Sequence, residues 1–227
     1  MQVYCDFDGT ISLDDATDHV LSRLADPQWE TVEALWQEGA IDSGECMRRQ
    51  VAMIRGERST LDAVLDEISI DPGFASFVQF CAARNFPITI VSDGVDYFIK
   101  RILQRHSLGH LPVVANLLIT DAAARAASYK LLSPHSDEGC KATSGVCKCR
   151  SLGALGPRVY VGDGCSDFCV SDKPELVFAK GKLADFCDDR NIPFVAYQGF
   201  EDLTLSLRAA LPRLLNREVL PRQHAAA

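Results

Sequence analysis

Three short apolar runs in this chain lead straight into acid. Residues 2–7 carry Asp6 near their end and lead into Asp8, residues 87–91 lead into Ser92-Asp93-Gly94, and residues 158–161 lead into Gly162-Asp163-Gly164. Runs of this length suit buried strands. Residues 113–120, 176–179 and 194–197 read the same way, and residues 74–84 and 95–106 between them read as helices. Short apolar strands alternating with helices imply a parallel sheet covered on both faces, a three-layer α/β architecture.

One stretch breaks the alternation. Residues 14–80 read as helical throughout. Asp26-Pro27 opens one helix with a cap and a first-turn proline, and Ser43 and Thr60 are plausible caps for two more. The expectation is a core made of residues 1–13 and 81–227, with residues 14–80 inserted after the first strand as a helical cap. Residues 121–127 are alanine-rich and look helical, while residues 128–150 read as irregular.

Composition narrows the partners. The chain has 227 residues, 47% hydrophobic, with a formal net charge of -8. An acidic surface repels phosphate backbones, so no nucleic-acid partner is expected. A small anionic metabolite remains compatible, because a bound cation and one lysine can invert the local field. The first ten residues have no basic leader, and the longest apolar stretch, 111–119, is interrupted by Pro112 and Asn116. No membrane span is expected. Nine cysteines, most of them inside apolar runs, fit reduced thiols and a cytoplasmic protein.

The strand ends carry the chemistry. Asp6-Phe7-Asp8-Gly9-Thr10 leaves the first strand, and Asp-x-Asp followed by glycine would by itself suit an ordinary acidic turn. Ligand chemistry in open α/β sheets gathers at the carboxyl ends of strands. Two further strand ends add Ser92-Asp93-Gly94 and Gly162-Asp163-Gly164-Cys165-Ser166-Asp167, and Lys148 lies between them. Carboxylates, a hydroxyl, a lysine and glycine-bounded amides are the parts needed to hold Mg²⁺ and a phosphoryl group.

These residues resemble the four motifs of the haloacid dehalogenase superfamily of phosphohydrolases, in order: 6–10, Ser92, Lys148 and 162–167. The resemblance covers nearly the whole chain and implies a Rossmann-like core with a helical cap. It implies that Asp6 is the nucleophile of an aspartyl-phosphate mechanism, and Asp8 the general acid and then base. It implies that the Asp6 carboxylate, the Asp8 carbonyl and Asp163 hold Mg²⁺, with Asp167 acting directly or through water. Ser92 and Lys148 would clamp the phosphoryl group, aided by backbone amides near Phe7 and Asp93, with Asp93 and Gly94 counted among the substrate-binding residues. Lys173 is the rival for the lysine role and reads as a surface residue. The acid at Asp8 separates the chain from the superfamily's dehalogenases. A non-catalytic phosphate-binding module is the alternative, disfavoured because Asp6, Asp8 and Asp163 are all present.

Within the superfamily the chain is similar to phosphoserine phosphatases and to 2-hydroxy-3-keto-5-methylthiopentenyl-1-phosphate phosphatases. A third relative acts on phosphoethanolamine and phosphocholine. Phosphoserine enzymes carry glutamate at the position of Asp15 and Ser-Gly-Gly at 92–94, so both sites depart from that pattern. Asp15 is a candidate substrate contact, or equally an acid at a helix start. His135, Cys140, Cys147 and Cys149 resemble the cysteine pattern of the latter two groups and could form a zinc clip, or remain reduced thiols.

Overall fold

The computed structural model describes residues 1–120, 128–140, 142–153 and 156–216. The alanine-rich stretch 121–127 lies outside them. The chain divides into two compact units: 1–13, 70–91 and 148–227 form the first, and 14–69 with 92–147 form the second.

In the first unit β1 (Gln2–Cys5) pairs in parallel with β2 (Ile88–Val95) on one side and β5 (Arg158–Gly162) on the other. Beyond β5 come β6 (Leu176–Ala179) and β7 (Val195–Ala196), also parallel. Every residue of β6 is buried, as a strand covered on both faces requires. Helix α5 (Phe74–Ala82) and helix α9 (Phe200–Leu215) meet through Phe74, Phe77 and Phe200, whose ring centroids lie 4.8 to 6.5 Å apart. Asp71 ties this corner together by accepting from the Gly73 amide at 2.8 Å and the Phe200 amide at 3.3 Å. Helix α8 (Gly181–Asp189) packs Leu183 and Cys187 against Val177, Ala179 and Phe194.

The second unit holds α1 (Ala16–Leu24), α2 (Trp29–Gln37), α3 (Ser43–Ala52) and α4 (Arg58–Leu65). It also holds α6 (Asp96–Arg105) and the antiparallel pair β3 (Val113–Thr120) and β4 (Tyr129–Leu132). Strand hydrogen bonding follows the order β4-β3-β2-β1-β5-β6-β7, with β2 as the strand that runs from one unit into the other. This is a mostly parallel seven-stranded α/β sheet with flanking helices, as the alternation of apolar runs implied. No described helix is long and apolar enough to cross a membrane.

Three local readings change. Residues 129–132 form a strand inside a region that read as irregular. Its four residues alternate buried and exposed, and the register Leu118↔Leu131 and Thr120↔Tyr129 supplies backbone partners no short window reveals. Strand β2 also continues through Ser92-Asp93-Gly94 to Val95 instead of stopping at Val91. Lys148 opens a helix, α7 (Lys148–Ser151), where irregular chain was expected.

Candidate active site

The site in the first unit begins where β1 ends. The Asp6 amide donates to the Val161 carbonyl at 2.9 Å, which continues the β1–β5 ladder one residue and holds Asp6 at the strand's carboxyl end. The residue is only 5% exposed. Asp6 Oδ1 accepts from the Phe7 amide at 2.7 Å, and Oδ2 faces Lys148 Nζ at 2.7 Å. The chain then turns tightly, with the amides of Ile11 and Ser12 both donating to the Phe7 carbonyl at 2.8 and 3.0 Å. Asp8 is half-buried within that turn.

Gly9 makes the turn possible. Its φ is +69°, and a Cβ there would stand 2.5 Å from Asp163 Oδ2. Conformation and space therefore both exclude a side chain. Thr10, held by the same turn, donates from Oγ1 to Asp163 Oδ1 at 2.7 Å. Sequence reading did not assign Thr10 a task, although it sits inside the first motif.

Asp163 follows β5, and a short 3₁₀ turn, Cys165–Asp167, brings Asp167 back under it. Asp167 Oδ2 accepts from the amides of Asp163 and Gly164, both at 3.0 Å. Asp167 Oδ1 accepts from Lys148 Nζ and from the Tyr160 hydroxyl, both at 2.6 Å. Lys148 completes its donors with Ser166 Oγ at 2.8 Å. Lys148, Asp167 and Tyr160 are all 0% exposed. Tyr160 and Ser166 escaped sequence reading. A tyrosine within an otherwise aliphatic run was the available signal, since a buried phenol needs a partner.

The structure thus brings Asp6, Asp163, Asp167 and Lys148 together. The carboxylate oxygens of the three acids lie within 4.8 Å of one another. Three carboxylates against one ammonium leave a local excess of negative charge in a nearly dry place. Burial, then the Asp167 and Asp163 carboxylates, push the Asp6 carboxyl well above its ordinary value against the pull of Lys148. Burial raises Asp163 as well. Burial opposes the Lys148 charge, yet Asp167 and Asp6 prevail and hold the ammonium above the usual lysine value. Carboxylates raised by burial and mutual repulsion are suited to a hard divalent cation, which would relieve the repulsion and displace protons.

Lys173 sits elsewhere. It is half-exposed and paired with its neighbour Asp172 at 3.0 Å.

The remaining candidates, Cys149 of the first unit apart, belong to the second unit. Ser92 is 1% exposed and its Oγ accepts from the Gly94 amide at 3.0 Å. The Asp93 carboxylate accepts from Ser43 Oγ at 2.9 Å and the Val146 amide at 3.0 Å, so it ties the start of α3 to the segment leading toward Lys148. Asp15 caps α1, with Oδ1 accepting from the Thr17 and Asp18 amides at 2.9 Å. The sulfurs of Cys140 and Cys147 lie within 4.8 Å of each other, and the His135 carbonyl accepts from the Cys147 amide at 2.8 Å.

A family model described as Putative Phosphatase matches residues 1–177, and the chain belongs to that family. It is 27% identical over 208 residues to a 2-hydroxy-3-keto-5-methylthiopentenyl-1-phosphate phosphatase of Brevibacillus brevis, covering 88% of this chain and 92% of that protein. It is 28% identical over 221 residues to the Bacillus cereus protein of the same name, covering 93% and 97%. Among solved structures, a haloacid dehalogenase family hydrolase of Salmonella enterica serovar Typhi superposes with a TM-score of 0.68 at 19% identity, covering 96% of this chain and 71% of that one. A phosphoserine phosphatase holding an analogue of its phospho-aspartyl intermediate superposes with a TM-score of 0.62 at 18% identity, covering 94% and 98%. The chain is thus a member of a phosphatase family, and the fold implied by the four motifs is met.

Proposed function

We propose that this phosphatase moves the phosphoryl group of a small phosphomonoester to the Asp6 carboxylate and then to water, with Mg²⁺ bound at Asp6 and Asp163. The observation that carries this reading is the buried Asp6–Lys148 pair at 2.7 Å, beside the Asp163 carboxylate, which with Asp6 fits a cation. An Asp6 oxygen attacks phosphorus and the P–O bond to the leaving group breaks. Asp8 protonates the departing oxygen, then removes a proton from the water that attacks the aspartyl phosphate. Release of inorganic phosphate restores the Asp6 carboxylate and leaves Asp8 protonated for the next turnover. Lys148 offsets negative charge on Asp6 and on the arriving phosphate, which otherwise repel. When bound, Mg²⁺ supplies further charge neutralisation between the same two anions. Ser92, within β2, is the other member of the phosphoryl clamp in this reading.

For the substrate we propose 2-hydroxy-3-keto-5-methylthiopentenyl-1-phosphate or a similar metabolite. The names of the relatives support it, as does the departure from the phosphoserine pattern at Asp15, whose Oδ1 serves as a helix cap. Residues 14–80, of which 14–69 fall in the second unit, act as the cap that selects the leaving group. Nine cysteines without a disulfide support the cytoplasm as its compartment.

The test is turnover across a panel of phosphometabolites, with and without Mg²⁺, for wild type and Asp6→Asn. We expect loss of activity by about 10⁴-fold or more in the nearly isosteric variant, by analogy with removal of other nucleophiles. Exhaustive chelation should silence the wild type, Mg²⁺ should restore it, and Ca²⁺, which takes more ligands at longer distance, should not. A folded Asp6→Asn protein with wild-type turnover would sink the mechanism.

A further inference from the structure

Tyr160 is a fully buried member of the network with no part in the mechanism above. It lies on β5, fully buried, and its hydroxyl donates to Asp167 Oδ1 at 2.6 Å. An ionised carboxylate offers about four acceptor positions. At Asp167 the described donors are four: Tyr160, Lys148 and the amides of Asp163 and Gly164. The two amides fix one oxygen, and Tyr160 occupies one side of the other, so Lys148 meets Asp167 from one direction only. An ammonium has three N–H bonds, and those of Lys148 go to Asp167, Ser166 and Asp6. The direction of the third, toward Asp6, follows from where the first two are held.

We propose that Tyr160 is a positioning residue whose hydroxyl, acting through Asp167, aims the Lys148 ammonium at Asp6. The inference rests on the reading of Asp6 and Lys148 as nucleophile and charge partner. It adds a role for a residue that touches neither phosphate nor cation. Asp167 becomes the hinge point of the arrangement, a carboxylate committed to protein donors that orients the lysine.

The sheet supplies its own control. Tyr4 is the direct register partner of Tyr160 across β1 and β5, and is buried too. Its hydroxyl donates to Gln2 Oε1 at 2.6 Å and accepts from the Gly153 amide at 2.7 Å. Tyr160→Phe and Tyr4→Phe each remove one buried hydroxyl from neighbouring sites in the same sheet, and only the first changes the network at Asp167.

The experiment measures kcat and KM with a generic aryl phosphate, melting midpoint, and Mn²⁺ affinity by electron paramagnetic resonance. Proteins are wild type, Tyr160→Phe, Tyr4→Phe, Asp167→Asn and Asp167→Asn with Tyr160→Phe. Tyr160→Phe should lower kcat by about 10- to 100-fold, the usual range for loss of a supporting contact behind a reacting group. Its KM and Mn²⁺ affinity should stay within about twofold of wild type. Tyr4→Phe should keep wild-type kcat, and the double variant should be no slower than Asp167→Asn alone, because the hydroxyl acts only through that carboxylate. Wild-type kcat in folded Tyr160→Phe overturns the inference. Additive losses in the double variant, or Mn²⁺ affinity falling with kcat, also overturn it. A Tyr160→Phe protein that fails to fold while Tyr4→Phe folds makes the hydroxyl a folding contact and overturns it as well. Absence of cation-dependent phosphatase activity in the wild type removes the proposed function, and this inference with it, which distinguishes the two failures.

Discussion

The interior of the first unit and the helical faces of the second treat opposite charges in contrary ways. In the first, Lys148 is 0% exposed and sits 2.7 Å from Asp6 and 2.6 Å from Asp167. In the second, the ion pairs lie at the surface: Arg101 with Asp66, Arg23 with Glu67, Lys100 with Asp96, Arg48 and Arg49 with Glu45. Exposed pairs gain little, because water and salt screen them and long side chains lose entropy in one geometry. A buried pair loses far more hydration, and only complete hydrogen bonding offsets that loss. The first unit meets the requirement at Asp167, where backbone amides and a phenol share the work with the lysine. Charge that is expensive to bury marks the place where geometry serves chemistry, while charge at the surface mostly keeps helices soluble.

The largest effect expected from this contrast is at the lysines. Lys148→Ala leaves three carboxylates together without their cation, and should cost about 10²- to 10³-fold in kcat, the range for one preorganised electrostatic contact. Lys173→Ala and Arg101→Ala remove an exposed and a half-buried partner of surface pairs and should leave kcat within about twofold. Steady-state kinetics of the three variants side by side decides it. If Lys173→Ala proves inactive and Lys148→Ala works normally, the contrast collapses and the third motif has been misplaced.

Asp15→Ala sharpens the comparison from the other unit. Its carboxylate caps α1, so the variant should lose about 1 kcal/mol of stability by denaturant unfolding. A substrate role predicts in addition a changed ranking across the phosphometabolite panel. An unchanged ranking would leave Asp15 a helix cap and nothing more.

The smallest effect concerns His106, at the end of α6 in the second unit. Burial and the neighbouring Arg105 charge hold its imidazole below the ordinary histidine value, and its Nε2 is buried without a hydrogen-bond partner. The folded protein therefore binds fewer protons here than the unfolded chain just below the ordinary histidine value. The contribution to stability is complete above that range and declines as pH falls through it. Melting midpoints measured from pH 7.5 down to about 5.5 should fall more steeply in wild type than in His106→Gln. Parallel curves would show that His106 titrates alike in both states.

Much of the site was legible because its residues are local. Strand ends, Asp-x-Asp-Gly and Gly-Asp-Gly are written within a few positions, and apolar runs that end in acid restrict where a sheet can place its ligands. Gly9 illustrates the limit. The turn needs its positive φ, which the sequence suggests, but the second reason for glycine is Asp163, which arrives from a strand far along the chain. Strand β4 and the extension of β2 through Gly94 were illegible because backbone partners, not side-chain pattern, make them strands. Asp93 read as a ligand for substrate, yet its carboxylate also holds Ser43 and Val146, contacts between segments that no window contains.

By itself the sequence determined the α/β class, the order of the motifs and the identity of the acids and the lysine. These follow from short-range rules: apolar period, turn chemistry, and the few residue types able to hold phosphate and a cation. The tertiary structure decided which partners each charge keeps. Lys148 is paired with Asp6 and Asp167 and donates to Ser166, while Lys173 stays with Asp172 at the surface. Both lysines are the same cation on the same flexible stem. Only burial, which takes away water and leaves protein acceptors in its place, sets one of them among the clustered acids.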